Sequence, residues 1–457
     1  MAPWIENSRQ HGDADIDGVS TDSRSLSPGN VFVALKGEHF DAHAFLDDIG
    51  LKGAVAVIAE KLPDSFALPA LVVDDSRKAL AEMAANWRAR HVLPVIAVTG
   101  SNGKTTVKEM IAKILEVHFG EDRFLATEGN LNNEIGVPKT LFNLDDRHRA
   151  AVIELGMNHP GEIENLAKMA QPTIALVNNA QREHMEHMHS LLAVAQENGQ
   201  AIRALPRNGT AVFPGEDPFS PLWQEYARER GNRNIVTFGF DGAFDISGVH
   251  EPDENRLALR TQEWEISLVL SVPGRHNAHN ALAAAGCAFA AGIDKEHIRQ
   301  GLEAFRAVKG RMQPVKTAAG ANLIDDSYNA NPDSVIAAID VLAQAAAPRI
   351  LVLGDMGETG ENAEIFHREV GAYAREKGIS RLFTLGELAQ YATKAFLGTK
   401  GPEPEKKAAE AAHFEHIGEL KKRLDKDAGE TATILVKGSR FMNMERVVAH
   451  LKIKDER

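Results

Sequence analysis

Short apolar runs alternate with helical patterns along most of the chain. Residues 95–98 form an apolar, largely β-branched run of the kind that a buried parallel strand needs. Apolar side chains then recur at three- and four-residue spacing from 107 to 115, which predicts a helix that ends at Gly120. Because the same alternation continues through the rest of the chain, we predict an α/β fold built on parallel sheets.

The pattern changes twice along the chain, which predicts three parts. Residues 1–90 hold one predicted helix, at 76–90, and short runs that predict strands at 31–35, 54–58 and 70–73. In residues 91–312 strands alternate with helices, and an antiparallel patch is predicted at 263–272. From 313 to 457 the alternation restarts as a doubly wound parallel sheet, with strands predicted at 323–325, 350–353, 382–385 and 434–436.

A glycine-bounded turn links the strand at 95–98 to the helix that follows it. It reads Thr99-Gly100-Ser101-Asn102-Gly103-Lys104-Thr105-Thr106. In such a turn backbone N–H groups and the helix dipole attract phosphates, the lysine reaches the terminal phosphates and the threonine hydroxyl binds magnesium. The first glycine stands at 100 rather than at 98, so the phosphate-loop pattern is shortened. The flanking strand and helix are those that the motif requires, and we interpret the turn as a nucleoside triphosphate site.

Composition narrows the range of partners. The length of 457 residues corresponds to about three domains. A net charge of −13 argues against broad contact with nucleic acids or anionic membranes. The longest uncharged apolar stretch, 281–293, is shorter than the roughly 20 residues that span a bilayer. The one cysteine, Cys287, cannot form an internal disulfide, and the first residues lack a signal-peptide pattern, so we expect a cytoplasmic protein.

Other side chains suggest a metal site. Glu154 lies near the carboxyl end of a predicted strand at 150–157, where a further magnesium contact is expected in an ATPase of this plan. His184, His187 and His189 invite a zinc interpretation, although no cysteine accompanies them. We favour one histidine near the phosphates as a magnesium ligand, with the other two as loop residues.

Further polar residues suggest ligand contacts elsewhere. Asn277 and Asn280 are three apart, so they share a helix face and can present their amides to a base. The polar clusters at 21–24 and 36–45 lie at strand ends in the first part of the chain. They fit either ligand binding or ordinary loop solvation.

These motifs resemble those of the Mur ligases, the ATP-dependent amide-forming enzymes of peptidoglycan precursor synthesis. The resemblance covers essentially the whole chain and rests on residues 99–106, 273–280 and 310–311. Four further segments resemble the members that add D-alanyl-D-alanine to a UDP-N-acetylmuramoyl-tripeptide: 21–24, 129–136, 325–332 and 354–356. The third residue of that tripeptide, diaminopimelate or lysine, stays open.

The resemblance implies three domains and a two-step reaction. Residues 1–90 would bind the UDP-sugar substrate, 91–312 would form the ATP-binding domain and 313–457 a Rossmann-like domain that closes over the site. The tripeptide carboxylate would attack the γ-phosphate to give an acyl phosphate, which the amine of D-alanyl-D-alanine then attacks. The expected cofactors are ATP and Mg²⁺, at one or two sites, and the expected state is a monomer without nucleic-acid or membrane partners.

The resemblance also implies roles for individual residues. Lys104 would hold the β- and γ-phosphates, and the magnesium ligands would be Thr105, Glu154 and His184. The nucleotide would contact the loop residues Gly100, Ser101, Asn102, Gly103, Lys104, Thr105 and Thr106, and also Asn277, Asn280, Arg311 and Asp326. The substrate would contact Thr21, Ser23, Arg24, Lys36, Asp41, Asn130, Asn132 and Asn133. Residues near the reacting centre would be Tyr328, Asn329 and Asn331, and the catalytic set would be Lys104, Glu154, His184, Asn198, Tyr328 and Asn329.

One position departs from the family pattern. Most members carbamylate a lysine in the helix after the magnesium histidine, and Asn198 stands in its place. Because an amide cannot be carbamylated, we hypothesise that Asn198, with a bound halide such as chloride, replaces that carboxylate. Activity should then be independent of bicarbonate and should respond to chloride. Glu197 lies about 100° around the helix and is expected to face elsewhere.

Three alternatives remain beside the leading hypothesis. Two are related enzymes, namely the ligase that adds the third peptide residue and an enzyme like folylpolyglutamate synthase, and the segments 130–133 and 325–332 argue against both. The third, prompted by Asn198, is a nucleotide-binding protein that has lost catalysis. Retention of Lys104, Thr105, Glu154 and His184 together argues against it.

Overall fold

Three sheets organise the protein, each with its own buried apolar layer. The computed structural model describes residues 1–37, 40–231, 233–399 and 409–452. Of the predicted substrate stretch at 36–41, Glu38 and His39 lie outside the described residues. No helix within the described ranges is long and apolar enough to cross a bilayer. The predicted α/β class is confirmed.

The first sheet is small and mixed. Its strands are β1 (Arg9–His11), β2 (Gly18–Ser20), β3 (Asn30–Val33), β4 (Ala54–Ala59) and β5 (Ala70–Val72), and its helix is α1 (Ser76–Ala89). The spatial order is β1-β5-β4-β3-β2, with β1 antiparallel to β5 and the other pairs parallel. The three strands and the helix predicted in this region are confirmed. The outer strands β1 and β2 were not predicted, because each has only three residues and β1 is exposed throughout.

The second sheet has nine strands. They are β6 (Val95–Thr99), β7 (Phe124–Ala126), β8 (Ala150–Glu154), β9 (Ile174–Val177), β10 (Thr210–Pro214), β11 (Asn234–Gly239), β12 (Ile246–Glu251), β13 (Arg256–Arg260) and β14 (Glu265–Val269). The spatial order is β14-β13-β12-β11-β10-β9-β6-β8-β7. Pairs from β7 to β12 are parallel, and β12-β13-β14 are antiparallel, which confirms the predicted antiparallel patch.

Helices cover both faces of this sheet. They are α2 (Lys104–Phe119), α3 (Gly136–Leu141), α4 (Glu162–Ala170), α5 (Met185–Met188), α6 (Leu191–Asn198), α7 (Gln200–Arg203), α8 (Ser220–Arg228), α9 (Arg275–Ala290) and α10 (Lys295–Ala304). The strand–helix alternation predicted for residues 91–312 is wrong after β11, because among the described residues β12 follows that strand without an intervening helix. The intervening turn is short, and the Asp245 carboxylate holds it by accepting hydrogen bonds from Thr237 N and Oγ1, both 2.8 Å away.

Strand β6 lies at the centre of this sheet. Ile96 and Val98 pack with α2, α9 and α10 on one face, whereas Val95 and Ala97 pack with α4 and α6 on the other. All four side chains are fully buried, as the continuous apolar run predicts for a parallel strand covered on both sides. The carboxyl end of β6, where the phosphate loop begins, is therefore held from both faces.

The third sheet completes the fold. Its strands are β15 (Gln313–Lys316), β16 (Asn322–Asp326), β17 (Arg349–Gly354), β18 (Arg381–Leu385), β19 (Glu410–Phe414) and β20 (Thr433–Lys437). Its helices are α11 (Pro332–Gln344), α12 (Ala363–Glu376), α13 (Gln390–Gly398), α14 (Ile417–Asp427) and α15 (Glu445–Leu451). The order is β15-β16-β20-β17-β18-β19, parallel except for β15, and the four predicted strands are confirmed.

Helix α10 crosses α2 at a position that admits only glycine. A β-carbon at Gly301 would lie 2.5 Å from Ile114 Cα and 2.9 Å from Ile114 N. These are backbone atoms in the middle of a buried helix, so they cannot move aside as a flexible side chain would. The crossing therefore fixes how α10 lies on the helix that begins at the phosphate loop.

We expect Gly301→Ala to lower the free energy of unfolding by about 1–3 kcal/mol, because overpacking displaces backbone. Urea denaturation followed by circular dichroism measures the change. Gly418→Ala in α14 is the matched control, since no described atom lies within 4 Å of where its β-carbon would stand and alanine favours a helix by up to about 1 kcal/mol. A Gly301→Ala protein as stable as the Gly418→Ala protein would contradict the close crossing.

Candidate active site

The phosphate loop makes its tightest contact at Gly103. This residue caps α2 with φ of 84°, and a β-carbon there would lie 2.3 Å from Asn280 Oδ1 and 2.6 Å from Asn178 Nδ2. Gly100 also has positive φ, 130°, and is closely approached by the backbone of the loop after β9. Both glycines are needed for conformation and for space. The loop is thus clamped between the end of β9 and the start of α9.

Lys104 is the first residue of α2 and turns back over the loop. Its Nζ donates to Gly100 O (2.5 Å) and Ser101 O (3.2 Å) and forms an ion pair with Glu183 Oε2 at 3.2 Å. The Glu183 side chain is only 6% exposed. Glu183 was not among the predicted site residues. Its place directly before His184, just after a strand end, was the available signal.

Beside the loop, buried oxygen atoms converge. Thr105 Oγ1 donates to Glu154 Oε1 (3.2 Å), which also accepts from Asn132 Nδ2 (2.7 Å). Glu154 Oε2 and Glu183 Oε1 are buried and have no hydrogen-bond partner among the described residues. Unpartnered buried carboxylate oxygens are costly, and Mg²⁺ takes oxygen ligands of this kind. This donor set fits a magnesium ion.

His184 lies next to the Glu183 carboxylate. Its Nε2 is 3.8 Å from Glu183 Oε2, and its Nδ1 is 2.5 Å from Glu358 Oε2 in the C-terminal part of the chain. The contact with His184 lowers the pKa of the Glu358 carboxyl. His187 instead packs its ring on that of His159, with centroids 4.3 Å apart, and within the described ranges the three histidines do not converge as metal ligands. The zinc interpretation is therefore not supported.

A cavity of 1480 Å³ joins these groups to others predicted from the sequence. The predicted residues that line it are Ser101, Asn102, Gly103, Lys104, Thr105, Thr106, Asn130, Asn132, Asn133, Glu154, His184, Asn277, Asn280, Arg311, Asp326, Tyr328, Asn329 and Asn331. The residues come from the central and C-terminal parts of the chain. The cavity is large enough for a nucleotide and part of a second substrate.

The start of α9 forms one wall. Asn280 Oδ1 accepts from Asn178 Nδ2 (3.0 Å), and Asn277 Nδ2 donates to Pro273 O (2.7 Å). Both amides are thus already engaged with protein groups. His276 and His279 alternate with them on the same turn, and burial lowers the pKa of each to about 4, so both imidazoles are neutral near neutral pH.

The C-terminal sheet supplies the opposite wall. Asp326 accepts from Met312 N (3.0 Å) and contacts Lys437 Nζ at 2.6 Å, and this lysine also donates to Asn329 O (3.0 Å). The Arg311 guanidinium lies over the Tyr328 ring, 4.3 Å from its centroid. Lys437 lines the cavity and was not among the predicted site residues, although the loop 437–440 follows a predicted strand at its carboxyl end, where a ligand crevice is expected.

Two sets of polar contacts join the walls. Asn102 and Asn331 exchange amide hydrogen bonds of 3.2 and 2.9 Å, which connects the phosphate loop to the cap of α11. Arg182 forms ion pairs of 2.6 Å with both Asp333 and Glu369. The C-terminal part of the chain is thereby held directly over the loop.

Both amide atoms of Asn198 are engaged with protein groups. Its Oδ1 accepts from Thr99 Oγ1 (2.5 Å) and Gly100 N (2.9 Å), and its Nδ2 donates to Val194 O (3.1 Å). The residue is 1% exposed and does not line the cavity. The structure therefore does not support a chloride or a metal at this amide, because the side chain already holds the end of β6. Glu197 faces away, as expected, and accepts from Ile163 N (2.8 Å).

The remaining predicted substrate residues lie apart from this cavity. Arg24 is exposed and pairs with Asp22 at 2.7 Å, and it lies in the same polar cluster as Thr21 and Ser23. Lys36 lines a separate cavity of 430 Å³. Asp41 caps a short 3₁₀ helix by accepting from His43 N (3.0 Å). The structure thus groups these five residues with the first sheet and the other three substrate residues with the large cavity.

Family comparisons cover most of the chain. The Mur ligase middle domain matches residues 98–288, and the Mur ligase glutamate ligase domain matches 310–440. A third family model, described as "Mur ligase family, catalytic domain", matches residues 15–88. These three regions correspond to the three sheets in the same order along the chain, although β1 and the start of β6 lie just outside them.

Individual relatives match over nearly their whole lengths. The chain is 40% identical over 449 residues to the UDP-N-acetylmuramoyl-tripeptide–D-alanyl-D-alanine ligase of Escherichia coli K12, which covers 97% of this chain and 95% of the relative. The chain also superimposes on a crystal structure of MurF from Acinetobacter baumannii with a TM-score of 0.86 and 34% identity. The match covers 96% of this chain and 94% of that one.

A MurF ligase from Thermotoga maritima in complex with ADP has the same fold, with a TM-score of 0.81 and 24% identity, over 94% of this chain and 96% of that one. The identity to the Escherichia coli relative over nearly the full length of both chains, together with the three domain matches, decides the classification. The chain belongs to the Mur ligase family, and within it to the UDP-N-acetylmuramoyl-tripeptide–D-alanyl-D-alanine ligases.

Proposed function

We infer that the protein is an ATP-dependent ligase that joins D-alanyl-D-alanine to UDP-N-acetylmuramoyl-tripeptide in peptidoglycan precursor synthesis. ADP and phosphate are the other products. The observation that carries this function is one cavity in which the phosphate loop faces basic groups of the C-terminal sheet. Family membership supplies the identity of the substrates.

The first chemical step needs concentrated positive charge. A tripeptide carboxylate must approach the γ-phosphate, so two anions meet. Lys104 and the start of α2 lie on one side of the cavity, and Arg311, Lys437 and Arg440 line the other. In the resulting acyl phosphate the carbonyl carbon is open to attack by the dipeptide amine, and loss of phosphate leaves the amide.

For magnesium we propose Thr105, Glu154 and His184 as ligands. The unpartnered Glu154 Oε2 supports this assignment, and Glu183 Oε1 adds a further oxygen near Lys104. When bound, the ion neutralises phosphate charge during the transfer. The residues themselves do the positioning, since Asn132 and Thr105 hold Glu154 Oε1 in place.

We assign the nucleotide to the loop residues and to the two walls of the cavity. Asn277 and Asn280 lie at the adenine end, and Arg311 and Asp326 lie toward the ribose and phosphates. Tyr328 and Asn329 lie near the reacting centre, where Lys437 contacts the Asn329 carbonyl. The ADP complex of the Thermotoga maritima relative is consistent with a nucleotide in this fold.

The nucleotide-sugar end of the substrate belongs to the first sheet in this proposal. Its contacts are Thr21, Ser23, Arg24, Lys36 and Asp41, while Asn130, Asn132 and Asn133 meet the peptide portion in the large cavity. The corresponding domains are 1–90, 91–312 and 313–457. The enzyme acts as a monomer in the cytoplasm, a reducing compartment that the free and buried Cys287 suits.

The function predicts a strict dependence on two substrates. With ATP and Mg²⁺, release of ADP should require both the UDP-N-acetylmuramoyl-tripeptide and D-alanyl-D-alanine, and the product mass should equal their sum less one water. Coupled ADP detection and mass spectrometry measure both quantities. Parallel reactions contain the UDP-linked dipeptide with a diamino acid, or a folate with glutamate.

Product in either parallel reaction, but none from the UDP-N-acetylmuramoyl-tripeptide and D-alanyl-D-alanine, would identify a different ligase of the family. Nucleotide binding without any product would identify a protein that has lost catalysis. Either result contradicts the proposed function.

Asn198 has a positioning role in this proposal, since its amide oxygen holds Thr99 and Gly100 at the base of the loop. Asn198→Ala leaves a buried hydroxyl and a buried N–H without that acceptor. Each unsatisfied group destabilises the folded loop by about 1–3 kcal/mol. We expect kcat/KM for ATP to fall by about tenfold or more, with wild-type activity unchanged by bicarbonate.

Gln196→Ala is the matched control, because Gln196 is exposed on the same helix. Steady-state kinetics at varied ATP measure the effect. Equal kcat/KM for ATP in both variants and the wild type would remove the positioning role.

A further inference from the structure

The far end of α2 meets the start of α10 at three potential metal ligands. His118 lies in the last turn of α2, Asp294 caps α10 and His297 lies in its first turn. His118 Nδ1 is 3.1 Å from His297 Nδ1 and 3.8 Å from Asp294 Oδ2, and His297 Nδ1 contacts the same carboxylate oxygen. None of the three lines the large cavity, so this cluster lies outside the proposed active site.

The two oxygens of Asp294 have separate roles. Oδ1 caps α10 by accepting from Glu296 N (3.1 Å) and His297 N (3.2 Å). Oδ2 faces the two imidazoles. The cap fixes the carboxylate without using the oxygen that faces the histidines.

Hydrogen bonds alone cannot satisfy all three of these atoms well. A neutral imidazole carries one N–H, and its other nitrogen is an acceptor. If His297 Nδ1 donates to Asp294 Oδ2, His118 Nδ1 faces a nitrogen whose proton is already shared. If both Nδ1 atoms carry protons, those protons face each other. A single cation between the three atoms can use a lone pair from each of them.

The spacing of the two imidazole nitrogens and the packing of the two helices also suit a metal. In a tetrahedral zinc site with Zn–N of about 2.0–2.1 Å, neighbouring ligand atoms are about 3.3 Å apart, close to the 3.1 Å between the imidazole nitrogens. The crossing at Gly301 fixes α10 on α2 and hence the spacing of the two histidines. The His118 and His297 side chains are 28% and 37% exposed, so an ion reaches them from solvent.

We propose that His118, Asp294 and His297 form a binding site for a divalent transition metal of the zinc type, with water completing the coordination. Two of the three donors here are imidazole nitrogens, which suit zinc, nickel and copper, whereas most of the donors at the proposed magnesium site are the oxygen atoms that Mg²⁺ prefers. The bound ion links the end of the phosphate-loop helix to α10. This site is separate from the magnesium site of the ligase reaction.

Zinc binding to purified full-length protein tests the site. Equilibrium dialysis with Zn²⁺ in buffer with excess Mg²⁺ gives affinity and stoichiometry, and Co²⁺ absorption reports the coordination geometry. His118→Ala and His297→Ala should each weaken this Zn²⁺ affinity by about tenfold or more, since even partners of metal ligands contribute 10–100-fold. His450→Ala should leave it unchanged, because His450 contacts one carboxylate, Asp425 at 2.8 Å, without a second histidine among the described residues.

Asp294→Asn provides a variant that retains a capping oxygen but removes the charge. It should also weaken Zn²⁺ binding, while Zn²⁺ should raise the unfolding temperature of the wild type and of His450→Ala more than that of the three site variants. Ligase activity without zinc confirms that each variant is folded. Zn²⁺ affinity and stoichiometry that are the same in the wild type and in the folded site variants would overturn the proposal.

Discussion

The turn between β6 and α2 depends on the missing side chain at Gly103. Any β-carbon there would collide with the amides of Asn178 and Asn280. With glycine in place, the start of α9 and the end of β9 close around the loop, and α2 begins at Lys104. The position of Lys104 therefore follows from a steric constraint, and the carboxylates and the opposite wall are arranged around it.

Charge is the second organising constraint. The chain carries a net charge of −13, yet basic groups from two sheets converge on one cavity. Glu154 contacts Thr105 of the loop and Glu183 lies between Lys104 and His184, so the cavity presents cations and metal-binding oxygens side by side. The Asn102–Asn331 amide pair and the Arg182 ion pairs keep the C-terminal wall facing the loop. A reaction between two anions needs the basic groups of both walls close to the reacting atoms at the same time.

Much of this arrangement could be read from local sequence. The apolar run at 95–98 and the spacing of Met110, Ile111 and Ile114 identify β6 and α2, because burial on two faces and helical periodicity are local properties. The loop motif identifies the phosphate site for the same reason. Short polar strands such as β1 carry no such pattern, since their pairing is decided by the neighbouring strand.

The roles that sequence could not assign depend on contacts between distant segments. The resemblance implied a metal-bridging role for position 198, but the Asn198 amide contacts residues nearly 100 positions earlier in the chain. Glu183 becomes a site residue only because the loop after β9 folds toward Lys104. Lys437 reaches the cavity because β20 lies between β16 and β17. Such contacts follow from topology, which single motifs do not encode.

The most direct measurement is the rate of amide formation by Lys104→Ala at saturating ATP, Mg²⁺ and both substrates. If Lys104 neutralises the triphosphate while the peptide carboxylate attacks it, kcat should fall by about 100- to 1000-fold or more, as when a transition-state donor is removed. Retention of kcat within about tenfold of the wild type, with the variant folded and saturated by ATP, would contradict that role.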